Sequence, residues 1–514
     1  METDRDYTVE LELDEADDLA HVADKLAAQL GIAPHRLPQI EVRKRSIDAR
    51  RGRVRFHLVV GVATHEPLGG APVRETSGQP VVIVGAGPAG LFCAYELARA
   101  GIPAVILDRG KMVQARRRDL KGLTQHGVVD VDSNYCFGEG GAGTYSDGKL
   151  YTRSHKRGDV RDVIEILALH GAPDAILVDA RPHIGSNKLP KVITALREKL
   201  ASVGSVIQFG ARVVDLITRD GRAIGVRLAD GHEITGRAVV MATGHSARDV
   251  HALLLRAGVH LEAKPFAMGV RIEHPQPLID RIQYGRAAGH PKLPAAAYRL
   301  AFTPPDGRGA FSFCMCPGGW IVPAATEPDG VVVNGMSLSR RDSPFANSGF
   351  VVSIELKDLK SDDPLAGVAL QRALEQASAA AGGGELRAPA TRATDFVRGK
   401  PSSTVPRTSY QPGLAAGDVG AVLDTTGLPL AQRLREALQQ FDRQMHGYLT
   451  EEAVLVGVES RTSSPVRVPR DPERLESPDL AGLYPCAEGA GYAGGIVSAA
   501  LDGMRVARAI KARP

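Results

Sequence analysis

The sequence predicts an α/β protein whose central unit is a Rossmann-like βαβ fold. Three observations predict this class. A run of β-branched residues, PVVIV at 80–84, is followed by the glycine turn GAGPAG at 85–90. A segment with the apolar period of a helix comes next, and a second apolar strand ends at Asp108. A strand, a helix and a second strand in this order indicate a parallel sheet.

The glycine turn carries the first chemical signal. Gly85, Gly87 and Gly90 form G-x-G-x-x-G directly after a strand and at the start of a helix. Gly85 permits the tight turn, Gly87 lets the backbone approach a pyrophosphate, and Gly90 lets the helix pack closely on the strand. Asp108 follows the glycine motif at about the sequence spacing, roughly 20 residues, at which an acidic residue accepts hydrogen bonds from the adenosine ribose in such folds. The pattern therefore predicts a dinucleotide site.

The N-terminal part predicts a separate unit. Residues 1–66 predict a small α/β domain, in which a strand-like and a helical pattern precede a hairpin at 40–48 and 53–62, and residues 67–79 predict a linker. The hairpin is rich in arginine, but no aromatic residues interleave with the charges as they do on nucleic-acid-binding surfaces. We therefore expect a solvated hairpin face and do not expect nucleic acid as a partner.

Composition sets the remaining bounds. The chain has 514 residues, 43% of them apolar, and a formal charge of +4, which gives no argument for nucleic acid or an anionic membrane. The acidic N-terminus lacks an apolar signal region, and no run of about eighteen apolar residues occurs. Five widely spread cysteines suit a reducing compartment. We expect a cytoplasmic bacterial-type enzyme with a small-molecule substrate and no membrane partner; its oligomeric state is not predicted.

Two later segments resemble a known superfamily. AVVMATG at 238–244 is an apolar strand that ends in small residues. In LYPCAEGAGYAGGIVSAALDG at 483–503, a short strand delivers Glu488, and a helix begins after a glycine turn. Together with the first glycine turn, these segments resemble the glutathione reductase-type flavoproteins that bind two dinucleotides.

The closer resemblance is to a largely uncharacterised bacterial family of FAD-dependent dehydrogenases and oxidoreductases. The strings that carry it include GGAGTYSDGKL at 140–150, ATGHSARD at 242–249 and EGAGYAGGIVSAALDG at 488–503. Strings of this length are specific, although the family supplies no substrate.

The resemblance implies a domain arrangement and a cofactor. It implies a Rossmann-like FAD-binding domain of the three-layer β/β/α type in two parts, 80–250 and 451–514. A substrate or cap domain of α+β type, 251–450, is inserted between them. FAD is the implied cofactor. No second complete G-x-G-x-x-G follows residue 150, so NAD(P)H is left open only as a transient electron donor.

The expected FAD contacts lie in the glycine turns and at the strand ends that the motif and the resemblance mark. Reduced flavin carries negative charge at N1, so a helix N-terminus directed there stabilises it. The expected contacts are Gly85, Gly87, Pro88, Ala89, Gly90, Asp108, Arg109, Gly140, Gly141, Gly143, Val213, Thr243, Gly244, Glu488, Gly494, Gly495 and Ile496.

Three residues are candidates for catalysis. Lys149 follows the 140–143 glycines and is a candidate to stabilise anionic flavin or a substrate carboxylate; a solvated surface lysine is the alternative. His245 follows the ATG strand end and is a candidate proton donor, and Arg461 precedes the last flavin segment and is a candidate to orient an acidic substrate. A satisfied structural role is the alternative for both.

Cys314 and Cys316 resemble a redox or metal pair. A thiol-disulfide flavoprotein is expected to carry CxxC or CxxxxC close behind the first helix, and no such pair occurs. Zinc needs further ligands at suitable spacing. We therefore interpret both cysteines as core or pocket-lining thiols and predict no metal.

The predicted function is that of an FAD-dependent oxidoreductase, a dehydrogenase or reductase that transfers a hydride between flavin N5 and a small organic substrate. A flavoprotein monooxygenase is the alternative within enzymes. An RNA-modifying flavoprotein and a non-catalytic flavin sensor are alternatives of other classes.

Overall fold

The computed structural model describes residues 5–15, 18–63, 68–152, 158–305 and 307–513. The predictions for residues 1–66 and for the 67–79 linker therefore fall partly outside the described residues. The first elements are β1 (Tyr7–Leu11), α1 (Leu19–Leu30), β2 (Ile40–Asp48) and β3 (Arg55–Val62).

These strands form an antiparallel sheet in the order β1-β3-β2, and the apolar face of α1 packs on it. Asp18 caps the start of α1, and Gly31, at φ 67°, ends it. The arginines of the hairpin have carboxylate partners: Arg43 pairs with Asp6, and Arg55 pairs with Glu10. Arg45 instead pairs with Asp179 of the following domain, so the charge of this face is offset only in part within its own domain.

The next stretch alternates strands and helices. Its elements are β4 (Val81–Val84), α2 (Pro88–Arg99), β5 (Ala104–Asp108), α3 (Val113–His126), α4 (Val160–Leu169), α5 (Leu189–Ser202), β6 (Val206–Phe209), β7 (Val213–Arg219), β8 (Arg222–Leu228), β9 (Glu233–Thr235), β10 (Ala238–Met241) and α6 (Arg248–Arg256).

The middle of the chain builds a mixed sheet with helices beside it. Its elements are β11 (Glu262–Ala263), β12 (Phe266–Pro275), α7 (Gln276–Tyr284), β13 (Ala301–Phe302), β14 (Ala310–Cys316), β15 (Gly319–Pro323), β16 (Val333–Ser337), β17 (Phe345–Ile354), α8 (Leu356–Leu359), α9 (Ala366–Gly382), β18 (Ala388–Arg392), α10 (Ala393–Val397), β19 (Leu414–Ala416), α11 (Val419–Asp424), α12 (Leu430–Gln444) and β20 (Val454–Glu459).

Seven strands of this region form one sheet in the order β13-β14-β17-β12-β20-β18-β19. The apolar face of α12 packs on it through Leu434, Leu438 and Phe441. Because β20 pairs with β12 and β18, the sheet continues past residue 450.

The chain then returns to the first domain through β21 (Val466–Arg467), β22 (Leu483–Pro485) and α13 (Ile496–Lys511). A parallel sheet of order β22-β10-β4-β5-β6 joins strands from both ends of the chain. Within β4, Val81 and Ile83 face the core with α2, α5 and α13, whereas Val82 and Val84 face the β7-β8-β9 sheet. These three layers confirm the predicted Rossmann-like β/β/α class.

Among the described residues, no helix combines the length and the apolar character needed to cross a membrane.

Candidate cofactor and active site

Two helix N-termini converge on one point of the fold. Helix α2 begins at Pro88 after Gly87, and α13 begins at Ile496 after Gly495; no side chain caps either helix. A Cβ placed on Gly143 would lie 3.5 Å from Cγ of Pro88 and 3.2 Å from Cγ1 of Ile496. Amides without helical partners and two aligned dipoles therefore meet at this point, which suits an anionic ligand.

The second glycine loop lies directly on the first. The Gly140 amide donates to the Ala86 carbonyl at 2.9 Å. A Cβ on Gly141, whose φ is 61°, would lie 3.0 Å from Cα of Gly87. A side chain at this position would fill the space between the loops. Residues 137–150, FGEGGAGTYSDGKL, thus form a wall of the same cradle.

Glycines also let α2 pack closely on its neighbours. A Cβ on Gly90 would lie 1.9 Å from the Gly85 carbonyl oxygen, and one on Gly503 of α13 would lie 2.0 Å from the Ala89 carbonyl oxygen. A Cβ on Gly85, at φ 111°, would lie 3.3 Å from Cα of Thr243, so the ATG strand end runs beside the first turn. Sequence reasoning missed Gly503, whose role depends on a contact between helices about 400 residues apart.

Asp108 clamps the loops around the first turn. One carboxylate oxygen accepts from the Ala86 amide, and the other accepts from the amides of Gly110 and Gly138, each at 2.9 Å. The carboxylate therefore fixes the relative positions of the first turn and the second glycine loop. Its contact with a ribose stays a prediction.

Arg109 and Val213 lie at the edge of this site. The Arg109 guanidinium donates to both carboxylate oxygens of Asp249, at 2.9 and 2.8 Å, and stacks over the Phe137 ring at 4.7 Å. Val213 is buried at the start of β7, where it pairs with Leu228. Cofactor contacts by both residues stay predictions.

The end of β10 lies against the last glycine segment. A Cβ on Gly489 would lie 2.8 Å from the Gly244 carbonyl oxygen. Nδ1 of His245 is 3.3 Å from Oε1 of Glu488, and a Cβ on Gly494 would lie 3.2 Å from that same oxygen. The structure thus brings together the catalytic candidate His245 and Glu488, one of the expected FAD contacts.

A buried ion pair supports the turn before α13. The Ala487 amide, at φ 55°, donates to Asp502 at 2.7 Å, and Arg470 donates to both oxygens of that carboxylate at 2.9 and 2.7 Å. Burial works against ionisation of Asp502, but Arg470 outweighs it and lowers the pKa of the carboxyl. Sequence reasoning missed this pair, because its two members lie 32 residues apart.

Lys149 lies where its loop meets β14. Its Nζ is 3.7 Å from the sulphur of Cys314, 3.7 Å from that of Cys316 and 3.5 Å from Oδ2 of Asp147. Burial opposes the charged amine, but the two cysteines and the carboxylate outweigh this effect and raise the pKa of Lys149. The side chain remains 34% exposed, so the ammonium is both paired and accessible.

Asp147 anchors Lys149 to the middle domain. The carboxylate is buried, binds Arg341 at 2.6 Å and accepts a hydrogen bond from the Ser337 hydroxyl. Burial acts against its ionisation, yet the nearby Lys149 and Arg341 hold its pKa well below the usual range. An ionised Asp147 therefore joins the glycine loop to strand β16 and the segment after it.

Lys149 also lies near the start of α13. The hydroxyls of Thr152 and Ser498 are 2.7 Å apart, and Ser498 is in the first turn of that helix. Three residues of chain span at most about 10 Å between Cα atoms, so Lys149 lies within that distance of Thr152. The loop that carries Lys149 therefore contacts the first turn of α13.

The two cysteines beside Lys149 differ in their surroundings. Cys314 is exposed and has a φ of 46°, whereas Cys316 is fully buried and donates to the Cys314 carbonyl at 3.3 Å. A separate contact between the two thiol side chains, aided by Lys149, lowers the pKa of the Cys314 thiol well below its ordinary value, while the same contact and burial raise that of Cys316. Of the two roles that the sequence left open, core or pocket-lining, the core role fits the buried Cys316, whereas Cys314 is exposed beside Lys149.

Arg461 lies in a separate, closed ion-pair cluster. Its guanidinium donates to both oxygens of Glu375, at 3.0 and 2.8 Å, and to the Thr326 hydroxyl at 2.7 Å. Arg248 binds the same carboxylate at 3.0 and 2.7 Å. The structure does not bring Arg461 together with Lys149 or His245, and its contacts match the structural alternative.

Two other histidines have defined partners. His183 contacts the Ser339 carbonyl at 3.2 Å and forms an isolated antiparallel bridge with Lys149. His274 is buried against Tyr448, and burial lowers the pKa of its imidazole to about 4. Within the described part of the chain, no group of three His, Cys, Asp or Glu side chains is placed to hold a metal ion.

Three parts of the chain match described families. Residues 79–126 match the family described as FAD binding domain, and residues 265–462 match FAD-dependent protein, C-terminal domain-like. Residues 3–63 match a domain of unknown function, DUF8436. The two FAD families cover the first glycine turn and the middle sheet.

An uncharacterized protein of Clostridium beijerinckii is 38% identical over 527 residues, which cover 98% of this chain and 97% of the relative. Protein FixC of Escherichia coli is 28% identical over 232 residues. The match covers 44% of this chain and 49% of FixC. The solved structure of glycine oxidase from Geobacillus kaustophilus overlaps 85% of this chain and 95% of that protein, at a TM-score of 0.37 and 15% identity.

The dinucleotide of this site is FAD. The family matches identify it, and the local structure fits it, because paired uncapped helix N-termini suit a pyrophosphate and the glycine cradle leaves room for backbone contact.

Proposed function

This chain belongs to a bacterial family of FAD-dependent oxidoreductase-type flavoproteins, and we propose that it transfers a hydride between FAD and a small organic substrate. The single observation that carries the proposal is the position of Lys149. This paired but accessible ammonium belongs to the loop that contacts both helix starts, through Gly143 at Pro88 and Ile496 and through Thr152 at Ser498.

The bound flavin supplies the redox chemistry, which is hydride transfer at N5. The glycine segments of this chain would hold it. Gly87 and Gly141 would admit it by their lack of side chains, and the first turns of α2 and α13 would offer amides and positive dipole ends to its negative charge.

Lys149 has the position and charge to bind an anionic group of the substrate or to offset negative charge that forms during the reaction. Its ammonium is only partly neutralised, because Asp147 is also held by Arg341 and Ser337. Arg341 is 12% exposed and committed to Asp147, so Lys149 is the more accessible of the two cations.

His245 is proposed to act with Glu488. The imidazole is 16% exposed and 3.3 Å from the carboxylate, so a proton can pass between them or the pair can orient a cofactor hydroxyl. This role is separable from that of Lys149, because the two residues belong to different segments of the cradle.

The test is anaerobic reduction of the purified yellow protein by NADH and by NADPH, followed by a screen for compounds that reoxidise it. The proposal expects bleaching of the flavin absorbance by at least one donor and stoichiometric reoxidation by an organic acceptor. Product water and peroxide assays in air separate a monooxygenase from a dehydrogenase. Protein that carries no flavin and cannot be reconstituted with FAD would contradict the whole assignment.

A further inference from the structure

We propose that Cys314 and Cys316 form a thiol–disulfide exchange site for a small disulfide substrate, with Cys314 as the attacking thiolate and Cys316 as the resolving thiol. The proposal deepens the proposed function, on which it rests only for the resupply of electrons.

The geometry carries this proposal in three steps. The first is that both sulphurs lie 3.7 Å from the same nitrogen, Nζ of Lys149. Two thiols that share one cation on one side of a strand can approach each other and the same substrate sulphur. A register irregularity between Phe313 and Cys316 in the pairing of β14 with β17 accompanies this placement.

The second step is the difference in access between the two thiols. Cys314 is exposed and Cys316 is fully buried. A substrate from solvent can therefore reach Cys314 first, and Cys316 can act only afterwards from behind. An attacking thiol and a resolving thiol require this order, whereas an acyl or carbonyl substrate would need only one nucleophile.

The third step is the electrostatic field at Cys314. Its sulphur faces Lys149, and its carbonyl accepts from the buried Arg271 guanidinium at 2.7 Å. A cation at a cysteine favours the thiolate, which is the reactive form. The charged groups around the pair are Lys149, Asp147, Arg341, Arg271 and Glu459.

The first turnover needs no reactant beyond the protein dithiol and the substrate disulfide. The Cys314 thiolate attacks one sulphur of the substrate disulfide, the substrate S–S bond breaks, and the first substrate thiol leaves with a proton from solvent. Cys316 then loses its proton and attacks the Cys314 sulphur, which forms the Cys314–Cys316 disulfide and releases the second thiol. The protein dithiol loses two electrons and the substrate gains two; restoring the dithiol needs a two-electron reductant, the class of chemistry that a reduced flavin supplies.

The experiment uses full-length FAD-loaded protein, dithiobis-nitrobenzoate as the disulfide probe, and no NAD(P)H. All variants carry Cys136→Ser, which removes the one other cysteine that is not buried. The parent protein is expected to release two thionitrobenzoates and to retain no adduct. With Cys316→Ser, one should be released and one adduct should remain on Cys314, and with Cys314→Ser release should be lost.

A second measurement tests the role of Lys149 as a positioning residue. The rate of Cys314 alkylation by iodoacetamide is followed against pH, with peptide mass mapping. Because the cation favours the thiolate, Lys149→Met should slow alkylation at pH 7 about tenfold and move the profile to higher pH. Lys191→Met, an exposed lysine on α5, is the matched control and should leave the profile in place.

Flavin absorbance per chain shows that each variant is folded and loaded. The proposal is overturned if the parent releases one thionitrobenzoate and keeps the adduct, or if Lys149→Met leaves the alkylation profile unchanged. These outcomes are independent of flavin reduction, so a protein that fails to accept electrons from any donor but passes both tests would contradict only the proposed function.

Discussion

Lys149 and Arg461 are both cations that the sequence marks as catalytic candidates, and the fold treats them in opposite ways. The Arg461 side chain is 6% exposed, and its donors are committed to Glu375 and Thr326. The Lys149 side chain is 34% exposed, and its nearest partners are two sulphurs and a shared carboxylate at 3.5 to 3.7 Å. A cation can serve chemistry only where its own partners leave it reachable.

The physical difference lies in desolvation. A buried guanidinium that forms bidentate bonds to a carboxylate has exchanged its water for fixed partners, and removing one partner leaves an uncompensated buried charge. A partly exposed ammonium keeps water and loose partners, so a substrate anion can replace them at lower cost. The comparison therefore predicts that the Arg461 cluster matters for stability and the Lys149 cluster for reactivity.

The largest effect is expected from Arg461→Ala. The variant leaves the buried Glu375 with Arg248 as its one remaining close cation, besides the Ser460 hydroxyl, and we expect the free energy of unfolding to fall by about 3 to 5 kcal/mol. Guanidinium chloride unfolding followed by the fluorescence of Trp320, the single tryptophan, measures it. A loss below about 1 kcal/mol would show that the Arg461 cluster does not stabilise the fold more than an exposed ion pair does.

The second prediction uses pH. Burial opposes ionisation of Glu375, but Arg461 and Arg248 lower the pKa of this carboxyl from 4.5 to about 2. The pKa of Glu375 is lower in the folded chain than in the unfolded chain, so the ionised carboxylate contributes its full stabilisation at a pH above the unfolded-state pKa. This stabilisation is lost as the pH falls through the folded-state pKa. The difference in the free energy of unfolding between wild type and Glu375→Gln should therefore decrease by about 2 kcal/mol when the pH is lowered from 5 to 3. A gap that stays constant over this range would contradict the assignment.

The third prediction concerns Lys149→Met. Its unfolding free energy should stay within about 1 kcal/mol of wild type, since the side chain is partly exposed and Asp147 keeps Arg341. FAD should remain bound, while reduction or substrate turnover slows about tenfold, equivalent to about 1.4 kcal/mol. Stopped-flow absorbance measures the rate with Lys191→Met as control. Unchanged kinetics would return Lys149 to the role of a solvated surface lysine.

The smallest effect is expected from Arg372→Ala, which removes an exposed ion pair close to the Arg461 cluster. Arg372 is 53% exposed and pairs with Glu327 and Asp329 at 3.5 and 3.4 Å. Water screens such pairs, so the same unfolding experiment should show a change of about 0 to 1 kcal/mol. A larger loss would mean that exposure does not separate structural from dispensable cations in this protein.

The local parts of the fold could be predicted from the sequence. Gly85, Gly87 and Gly90 follow a strand and open a helix, and Gly90 is required by its close approach to the Gly85 carbonyl, a contact that the local spacing encodes. The α/β class with a parallel sheet follows from the same βαβ pattern, whereas the β/β/α layering was implied by the family resemblance; the observed sheets confirm both.

Partners distant in sequence could not be predicted. Lys149 meets Cys314 across 165 residues, and Arg461 meets Glu375 across 86. Apolar periodicity indicates which face of an element is buried but not which polar side chain of another element it meets. The alternating pattern around Cys314 and Cys316 placed both on one side of a strand, but it gave no sign that one is exposed or that an ammonium lies beside both.

The reduction potential of the bound FAD tests most directly whether Lys149 is the cation of the reaction site. Spectroelectrochemical titration of wild type, Lys149→Met and Lys191→Met would measure it. Removing a positive charge near the flavin disfavours the reduced, more negative state. We therefore expect a reduction potential about 30 mV lower than wild type for Lys149→Met and an unchanged potential for Lys191→Met. Equal potentials for all three proteins would contradict it.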